Sequence, residues 1–323
     1  MTNPCFFDRR AVEAGLDYAE CIVAIRNAMR EFSLQGREQP LRQIVETAPG
    51  KLFALMPGGL GDGRPFGAKV ITAFSDPCRP GRLAHRGVVI LFDPQTGEVR
   101  AIADAGAITE IRTACATAVA TGALARKDAR TLGLFGCGAL AATHLRALML
   151  VRPIDTVFVW GRDSDKVAAF VRQAAVETGL DVRAADAREA AAADIVTTIT
   201  GASTPVLFGD WIAPGAHINL VGSSYAGPVE VDTPLVVDSR YIVDSRPSAL
   251  AAAAEFIVAK AEGAVGDDHI AGEIGEVLGG VVEGRQNPDQ VTAYKSLGHI
   301  VQDLAAIELL MKARGPSCSE PPS

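Results

Sequence analysis

The spacing of apolar residues near the N-terminus predicts one amphipathic helix. Between residues 18 and 35, apolar side chains recur at intervals of three and four, which places them on one face of a helix. Asp17 precedes this stretch and can cap its first turn, and Gly36 follows it. The pattern therefore predicts a helix over 18–35 that ends at Gly36.

Beyond this helix the pattern becomes typical of strands. Residues 40–105 contain the apolar runs "KLFALMPGG", "FGAKVITAF" and "GVVILF". The segment "DPQTGE", residues 93–98, has the composition of a hairpin turn. From residue 109, the alanine- and threonine-rich segment "TEIRTACATAVATGALAR" predicts a helix.

Strands and helices alternate after residue 131. Runs that predict strands are "TLGLFG", "TVFVWG", "DIVTTIT" and "HINLVG", and runs that predict helices are "ALAATHLRALMLV", "SDKVAAFVRQAAVETG" and "ALAAAAEFIVAKAEG". Such alternation is typical of a parallel sheet with helices on its faces, so we predict an α/β protein. A last long helix, "SLGHIVQDLAAIELLMKA", follows the sheet and can pack back onto the first part of the chain.

Composition and charge exclude several classes of protein. The 323 residues are 48% hydrophobic and 21% charged, which suits a large core and two domains. The net charge of −7 includes no basic block, so we do not expect nucleic-acid binding. No apolar run approaches the roughly 20 residues of a membrane span, and the N-terminus has no signal-type stretch. We therefore expect a cytoplasmic protein without membrane contact.

Two smaller expectations come from the cysteines and from the tail. The six cysteines show no spacing typical of a metal site, and we predict no bound metal. Residues 315–323 are rich in proline and serine and are predicted to be disordered.

A glycine-rich turn predicts a nucleotide site. Gly136, Gly138 and Ala141 form the pattern G-x-G-x-x-A between a predicted strand and a predicted helix. The helix begins with Ala139 and Leu140, which are also expected to contact the cofactor. Glycines let the backbone approach a pyrophosphate, which binds at the N-terminus of such a helix. The surrounding strand–helix–strand unit makes this a Rossmann-type dinucleotide site.

The end of the next strand bears on the choice between NAD and NADP. An acidic residue is expected there to bind the ribose hydroxyls of NAD, but the position is Gly161. Arg162 can pair with the 2′-phosphate of NADP or stack on adenine. Asp163 can bind the ribose instead, or lie in a solvated turn. The pattern favours NADP slightly and leaves NAD open.

At this point the chain resembles the ornithine cyclodeaminase/mu-crystallin family over nearly its whole length. The resemblance is carried by "LFALMPGG", "GAKVIT", "HRGVVILFDPQTGEV", "ITEIRTACATAVAT", "LGLFGCGALAATHLRAL", "PVEVD", "GEIGEVLGG" and "YKSLGHIVQDLAA". It implies a discontinuous α+β domain for substrate binding and dimerisation, residues 1–114 with 296–323. It also implies a Rossmann NAD(P)-binding domain over 115–295, and a homodimer joined through the sheet of the first domain. Further cofactor contacts are expected at Thr113, Thr198, Val221, Gly222, Ser223 and Ser296.

The resemblance also addresses a lysine within an apolar strand. Lys69 lies in the middle of "RPFGAKVITAF", where an ammonium group is costly to bury unless it meets an anion. By resemblance, Lys69 is the active-site lysine, Arg112 binds the substrate α-carboxylate, and Arg42 is a further substrate-binding arginine. An ordinary surface position for Arg42 stays open.

Two departures from the family pattern bear on the substrate. Ser224 stands where cyclodeaminases and alanine dehydrogenases of the family have an aspartate, which disfavours cyclodeaminase chemistry because a lone hydroxyl is a poor base near neutral pH. His85 and Arg86 stand where the family has other residues. Their side chains can point into the substrate pocket or out to solvent. If they point inward, His85 can donate a proton and Arg86 can bind a second carboxylate.

These residues predict an NAD(P)H-dependent reductase of a small imino or α-keto acid, acting reversibly as an amino-acid dehydrogenase. A dicarboxylic imine such as iminosuccinate is the preferred substrate. The alternatives are a cyclic ketimine reductase acting on Δ1-pyrroline-2-carboxylate, an ornithine cyclodeaminase, and a non-enzymatic crystallin-like binding protein.

Overall fold

The fold is taken from a computed structural model, which describes residues 4–36, 39–75 and 83–314, without the side chains of residues 75 and 83–85. The chain forms two compact units. One comprises Met1–Thr113 with His299–Ser323, and the other comprises Ala114–Gly298. The predicted disordered tail, 315–323, lies outside the described residues.

The chain contains strands and helices in alternating groups. The strands are β1 (Cys5–Phe7), β2 (Gln43–Ala48), β3 (Lys51–Gly59), β4 (Phe66–Ser75), β5 (Leu83–Phe92), β6 (Val99–Asp104), β7 (Thr131–Phe135), β8 (Thr156–Trp160), β9 (Asp181–Ala184), β10 (Ile195–Thr198), β11 (His217–Leu220), β12 (Arg240–Val243), β13 (Ile270–Glu273) and β14 (Thr292–Lys295). The α-helices are α1 (Arg9–Gly15), α2 (Tyr18–Gln35), α3 (Ala105–Leu124), α4 (Ala139–Met149), α5 (Ser164–Thr178), α6 (Ala187–Ala191), α7 (Thr233–Asp238), α8 (Arg246–Ala252), α9 (Ala254–Ala261), α10 (Ile274–Leu278) and α11 (Ile300–Arg314).

The first unit is built on a six-stranded sheet in the order β1-β6-β5-β4-β3-β2. Its strands are antiparallel except for the β1–β6 pair. Side chains alternate between the two faces of a strand, so one face is buried and the other is not. Helix α11 packs against β3, β4 and β5 and also against α2. The buried face of the sheet and these two helices form the core of this unit.

Local polar groups set two helix boundaries in the first unit. The predicted helix 18–35 is confirmed, because Asp17 accepts a hydrogen bond from the Glu20 amide and Gly36 closes the helix in the left-handed region. Helix α3 begins at Ala105, earlier than the predicted residue 109. The Asp104 carboxylate accepts from the Ala107 amide at 2.7 Å and fixes this earlier start.

The hairpin and the last helix were also predicted from the sequence. The turn after β5 is confirmed, since Asp93 accepts from the amides of Gln95 and Thr96. The last helix begins at Ile300 rather than at residue 296, because Gly298 adopts φ +80° and interrupts any helix before it.

The second unit contains an eight-stranded sheet in the order β13-β12-β14-β11-β10-β7-β8-β9, and all of its pairs are parallel. The predicted parallel sheet is therefore confirmed. Strand β7 lies between β8 and β10, so successive strands run to one side of β7 and then to the other. The carboxyl ends of β7 and β10 thus form the crevice in which sheets of this type bind ligands.

One predicted helix is divided in the structure. The alanine-rich run 249–263 forms α8 and α9, which are separated at Ala253, where ψ is 89°. The run contains no proline or glycine before its end, so its sequence gives no local signal for the break. The break lies two residues before Glu255, a buried residue that pairs with Lys295.

Across the described ranges, none of the helices combines the length and the apolar character that crossing a membrane requires.

The close approach of β4 and β5 gives a first prediction. A Cβ atom at Gly67 would lie 1.9 Å from the Ile90 carbonyl oxygen. Gly67→Ala must therefore push β5 away from β4, the strand that carries Lys69. We expect this change to lower the free energy of unfolding by about 1–3 kcal/mol or more, as overpacking does. Thermal or denaturant unfolding measures it.

The matched control is Gly122→Ala in the last turn of α3. A Cβ there has no neighbour nearer than 3.8 Å, so alanine should stabilise the helix by at most about 0.5–1 kcal/mol. Equal changes in the free energy of unfolding for Gly67→Ala and Gly122→Ala would contradict the close approach of β4 and β5.

Candidate active site

A buried carboxylate is the partner of Lys69. Lys69 projects from the buried face of β4, and its Nζ donates hydrogen bonds to Asp303 Oδ1 at 3.1 Å and to Thr109 Oγ1 at 2.5 Å. Lys69 is 3% exposed. Asp303, from α11, is fully buried. The ammonium group in the apolar strand is therefore paired with an anion supplied by the last helix.

Arg112 shares the same carboxylate oxygen. Its Nε donates to Asp303 Oδ1 at 3.1 Å, and its Nη1 donates to Gln302 Oε1 at 2.8 Å. One carboxylate thus faces two cations, which leaves the cluster with excess positive charge. Among the described residues, one N–H of Lys69 and the Nη2 group of Arg112 have no hydrogen-bond acceptor, so the cluster can bind a further anion.

The charges in this cluster shift one another's pKa values. Burial, with the nearby charges of Arg112 and Arg42, lowers the pKa of Lys69 to about 8, although Asp303 opposes the shift. Burial alone would raise the pKa of Asp303, but Arg112 and Lys69 outweigh it and hold that pKa below its usual range. Lys69 is therefore an ammonium group at neutral pH that releases its proton readily.

Four residues of this cluster were not recognised from the sequence: Thr109, His299, Gln302 and Asp303. His299 stacks obliquely on Phe32, with ring centroids 4.1 Å apart, and burial lowers its pKa to about 4, so that it is neutral. The sequence held one usable signal. Asp303 lies in an apolar helix just as Lys69 lies in an apolar strand, and the two could have been paired on that ground.

Arg42 and Arg86 lie in different surroundings. Arg42, just before β2, is half-buried and close enough to Lys69 for its charge to lower that residue's pKa. Arg86 is exposed and pairs in register with Thr72, which is three positions from Lys69 along β4. Odd spacing puts Arg86 on the opposite face of the sheet. The structure does not bring Arg86 to the cluster that holds Lys69.

Three further residues stay predictions: His85 as a catalytic residue, Thr113 as a cofactor contact and Ser224 as a substrate contact. His85 pairs in register with Ala73, but its side chain lies outside the described ones. Thr113 is buried beside Arg112 in α3. Ser224 is half-buried after β11.

In the second unit, the glycine-rich turn has the shape that a pyrophosphate needs. Gly136 has φ +113°, and a Cβ there would lie 2.9 Å from the Ile199 carbonyl oxygen, so the position requires glycine. Gly138 caps α4 without a side-chain hydrogen bond and, like Ala139, is exposed, whereas Leu140 is half-buried. The first amides of α4 are therefore open to an anionic ligand.

The packing around Gly161, at the end of β8, explains why this position has no acidic side chain. A Cβ at Gly161 would lie 3.0 Å from Val167 Cγ2, which leaves little room for a side chain. Asp163 caps α5 by accepting from the Lys166 amide at 3.1 Å and from Lys166 Nζ at 2.5 Å. The carboxylate of Asp163 thus serves the helix, and Arg162 beside it is exposed.

Other predicted cofactor residues lie at the carboxyl ends of β10, β11 and β14. Ser296 Oγ is buried and has no hydrogen-bond partner among the described residues, as expected of a group that awaits a polar ligand. Thr198, Gly222 and Ser223 all donate hydrogen bonds to the buried carboxylate of Glu230, and Val221 is buried beside them. The second unit therefore fits a dinucleotide.

Comparison with known proteins agrees with this geometry. The profile of the Ornithine cyclodeaminase/mu-crystallin family matches residues 3–314. The chain belongs to this family. The resemblance seen in the sequence motifs is thereby confirmed.

Members of the Ornithine cyclodeaminase/mu-crystallin family that resemble this chain include reductases. A Δ(1)-pyrroline-2-carboxylate reductase of Colwellia psychrerythraea is 33% identical over 312 residues, covering 91% of this chain and 94% of the relative. The solved Δ(1)-pyrroline-2-carboxylate reductase of Thermococcus litoralis, in complex with NADH and L-proline, superposes with a TM-score of 0.91 at 30% identity, covering 96% and 97%. The iminosuccinate reductase of Paracoccus denitrificans, in complex with NAD+, has a TM-score of 0.89 at 25% identity, covering 97% and 96%.

The carboxylate of Asp303, which Lys69 and Arg112 share, gives a second prediction. Asp303→Asn keeps the shape of the side chain but leaves Lys69 and Arg112 without their counter-charge. Breaking a buried pair in this way should lower the free energy of unfolding by about 3–5 kcal/mol, measured by denaturant unfolding at pH 7.

Glu308→Gln is the control on the same helix, because Glu308 pairs with the more exposed Arg64 at 2.8 Å. Its effect should be about 1 kcal/mol or less. A loss at Asp303 no larger than that at Glu308 would show that Asp303 does not hold the cluster together.

Proposed function

We propose that this protein is an NAD(P)H-dependent reductase of a small imino acid, with cyclic imines of the Δ1-pyrroline-2-carboxylate class as substrate. The observation that carries the proposal is the buried cluster of Lys69, Arg112 and Asp303. It offers a guanidinium group for one carboxylate and an ammonium group for one imine nitrogen.

The residues of the cluster divide the work of imine reduction. Arg112 binds the substrate carboxylate through its remaining N–H groups, since a guanidinium can clamp a carboxylate with two hydrogen bonds. Lys69 donates its proton to the imine nitrogen, which makes the imine carbon electrophilic. Asp303 favours the charged form of Lys69 before each turnover. When bound, the reduced nicotinamide supplies a hydride to the imine carbon.

A dicarboxylic imine is the second candidate substrate. Arg42 adds a third cation near Lys69, and a guanidinium group can bind a second carboxylate of the substrate. Arg86 does not support this substrate, because its side chain lies on the other face of the sheet. Ser224 in place of an aspartate continues to disfavour ornithine cyclodeaminase chemistry.

Cofactor absorbance with a panel of substrates tests the proposal. Preformed Δ1-pyrroline-2-carboxylate, a four-carbon dicarboxylic imine, and pyruvate with ammonia are each offered with NADH and with NADPH. The proposal expects the highest kcat/KM with the cyclic imine. Ammonia release from ornithine without net cofactor turnover would indicate a cyclodeaminase, and cofactor binding without any turnover would indicate a binding protein.

The lowered pKa of Lys69 predicts the pH dependence of imine reduction. Because Lys69 acts as the acid and its pKa is about 8, kcat/KM should fall as pH rises through about 8. Lys69→Ala should lower kcat/KM at least ~10²-fold and remove this basic limb. A Lys69→Ala enzyme with near-normal rates, or with the same basic limb, would refute the role of Lys69.

Arg162 gives a prediction about the cofactor. The position before it is Gly161, which has little room for a side chain, so no carboxylate at that position repels a 2′-phosphate, and the exposed Arg162 can bind one. Arg162→Ala should weaken NADPH binding by about 1.5–3 kcal/mol and NADH binding much less, as measured by fluorescence titration. Equal losses for both cofactors would mean that Arg162 does not recognise the phosphate.

The sheet of the first unit also supports a homodimer. Its face opposite Lys69 exposes large apolar side chains on several strands, and Phe66 stacks on Phe92 with centroids 5.3 Å apart. The exposed fractions on this face are 50% for Phe6, 55% for Val45, 37% for Phe53, 44% for Phe66 and 40% for Phe74. Contiguous apolar surface of this kind marks an interface. We therefore propose that a second copy of the chain covers this face.

Charge on that face should separate the two copies. Phe53→Lys combined with Phe66→Lys should give monomers in sedimentation-velocity experiments. Val176→Lys is the control, because Val176 is an isolated apolar side chain, 87% exposed, on α5. A double variant that sediments as a dimer would place the interface elsewhere.

A further inference from the structure

A buried carboxylate in the second unit ties together two segments at the ends of adjacent strands. Glu230 is fully buried. Its Oε1 accepts from the amide and the hydroxyl of Thr200, both at 2.7 Å. Its Oε2 accepts from Thr198 Oγ1 at 2.8 Å, from the Gly222 amide at 2.7 Å and from the Ser223 amide at 3.3 Å. Thr198 is the last residue of β10 and Thr200 follows it, whereas Gly222 and Ser223 follow β11.

The packing around Glu230 leaves this arrangement little freedom. A Cβ at Gly222 would lie 2.3 Å from Glu230 Oε1 and 2.3 Å from the Thr200 carbonyl oxygen. Only glycine therefore lets the two segments approach each other at this point. The carboxylate and the glycine act together, because one supplies the acceptors and the other supplies the space.

A second buried ion pair holds the same segment from its other side. Lys295 Nζ lies 2.8 Å from Glu255 Oε2 and donates to Ser223 Oγ at 2.6 Å. Ser223 Oγ in turn donates to Glu255, and the Glu230 amide donates to Glu255 at 3.2 Å. Ser223 Oγ is therefore a member of this network, between Lys295 and Glu255.

The segment after β10 also touches the glycine-rich turn. The Ile199 amide donates to the Phe135 carbonyl at 2.9 Å, and Gly136 lies against the Ile199 carbonyl. Thr198 and Thr200, on either side of Ile199, are the residues that Glu230 holds. A dinucleotide in a sheet of this type binds across the carboxyl ends of β7 and β10. A shift of the segment after β10 would therefore move part of that binding surface.

We infer that Glu230 is a positioning residue for the nicotinamide half of the cofactor, acting through the amide and hydroxyl of Thr200 and through the Gly222 amide. In sheets of this type the strands on one side of the switch point bind the adenosine half, and those on the other side bind the second nucleotide. Strands β8 and β9 lie on the adenosine side. Strands β10 and β11, whose ends Glu230 joins, lie on the other side. This inference rests on the proposed use of a nicotinamide dinucleotide.

Calorimetric titration of the full-length protein with NADH and with ADP-ribose, which lacks the nicotinamide, tests the inference. Glu230→Gln should raise the Kd for NADH about tenfold or more, because small displacements of a positioned ligand are costly, and should change the Kd for ADP-ribose much less. Thr200→Val removes a single donor and should raise the Kd for NADH to a smaller extent, so the test does not depend on one variant folding.

Ile270→Ala is the control for general destabilisation. Ile270 is buried in the core of the second unit, on the edge strand β13, away from β10 and β11. This change should lower the melting temperature and leave the Kd for NADH unaltered.

Four results would overturn the inference. Equal losses for NADH and ADP-ribose in Glu230→Gln, or losses no greater than in Ile270→Ala, would show that Glu230 only stabilises the fold. Failure of Thr200→Val to weaken NADH binding would contradict the route through Thr200. Absence of NADH binding by the unchanged protein would overturn the proposed function and this inference together.

Discussion

Burial of the Lys69 ammonium group is the constraint from which the rest of the first unit follows. An ammonium group within an apolar strand needs an anion, and the anion comes from Asp303, 234 residues later in the chain. The last helix must therefore return to the sheet that the N-terminal part of the chain forms. The same carboxylate orients Arg112, so one residue places the proton donor and the carboxylate-binding group together.

Both units use a buried carboxylate for the same physical purpose. Asp303 accepts from two side-chain cations, and Glu230 accepts from main-chain amides and threonine hydroxyls. In low dielectric surroundings the hydrogen bonds of a buried carboxylate are strong and hold its partners firmly. One holds groups suited to an imino acid, and the other holds segments suited to a nicotinamide nucleotide. The proposed reaction needs both held in place.

Much of the fold, and part of the site, could be predicted from the sequence. Capping residues and glycines predicted helix 18–35, and the glycine-rich motif predicted a tight turn between β7 and α4, because these signals act within a few residues. The face occupied by Arg86 could not be predicted, since a shift of one residue in strand register reverses every side chain. Asp303 was missed because helical spacing does not reveal which distant strand a helix will meet. The break at Ala253 has no local signal.

The proposed chemistry depends most directly on the pKa of the Lys69 ammonium group. Titration of the protein labelled with ¹⁵N-lysine, followed by NMR, reports each lysine side chain, and Lys69→Arg identifies the signal that belongs to Lys69. The account predicts a midpoint near pH 8, the pKa that burial and the neighbouring arginines give this group. A midpoint close to the ordinary lysine value of about 10.4 would contradict it, because Lys69 would then be neither desolvated nor poised to protonate an imine.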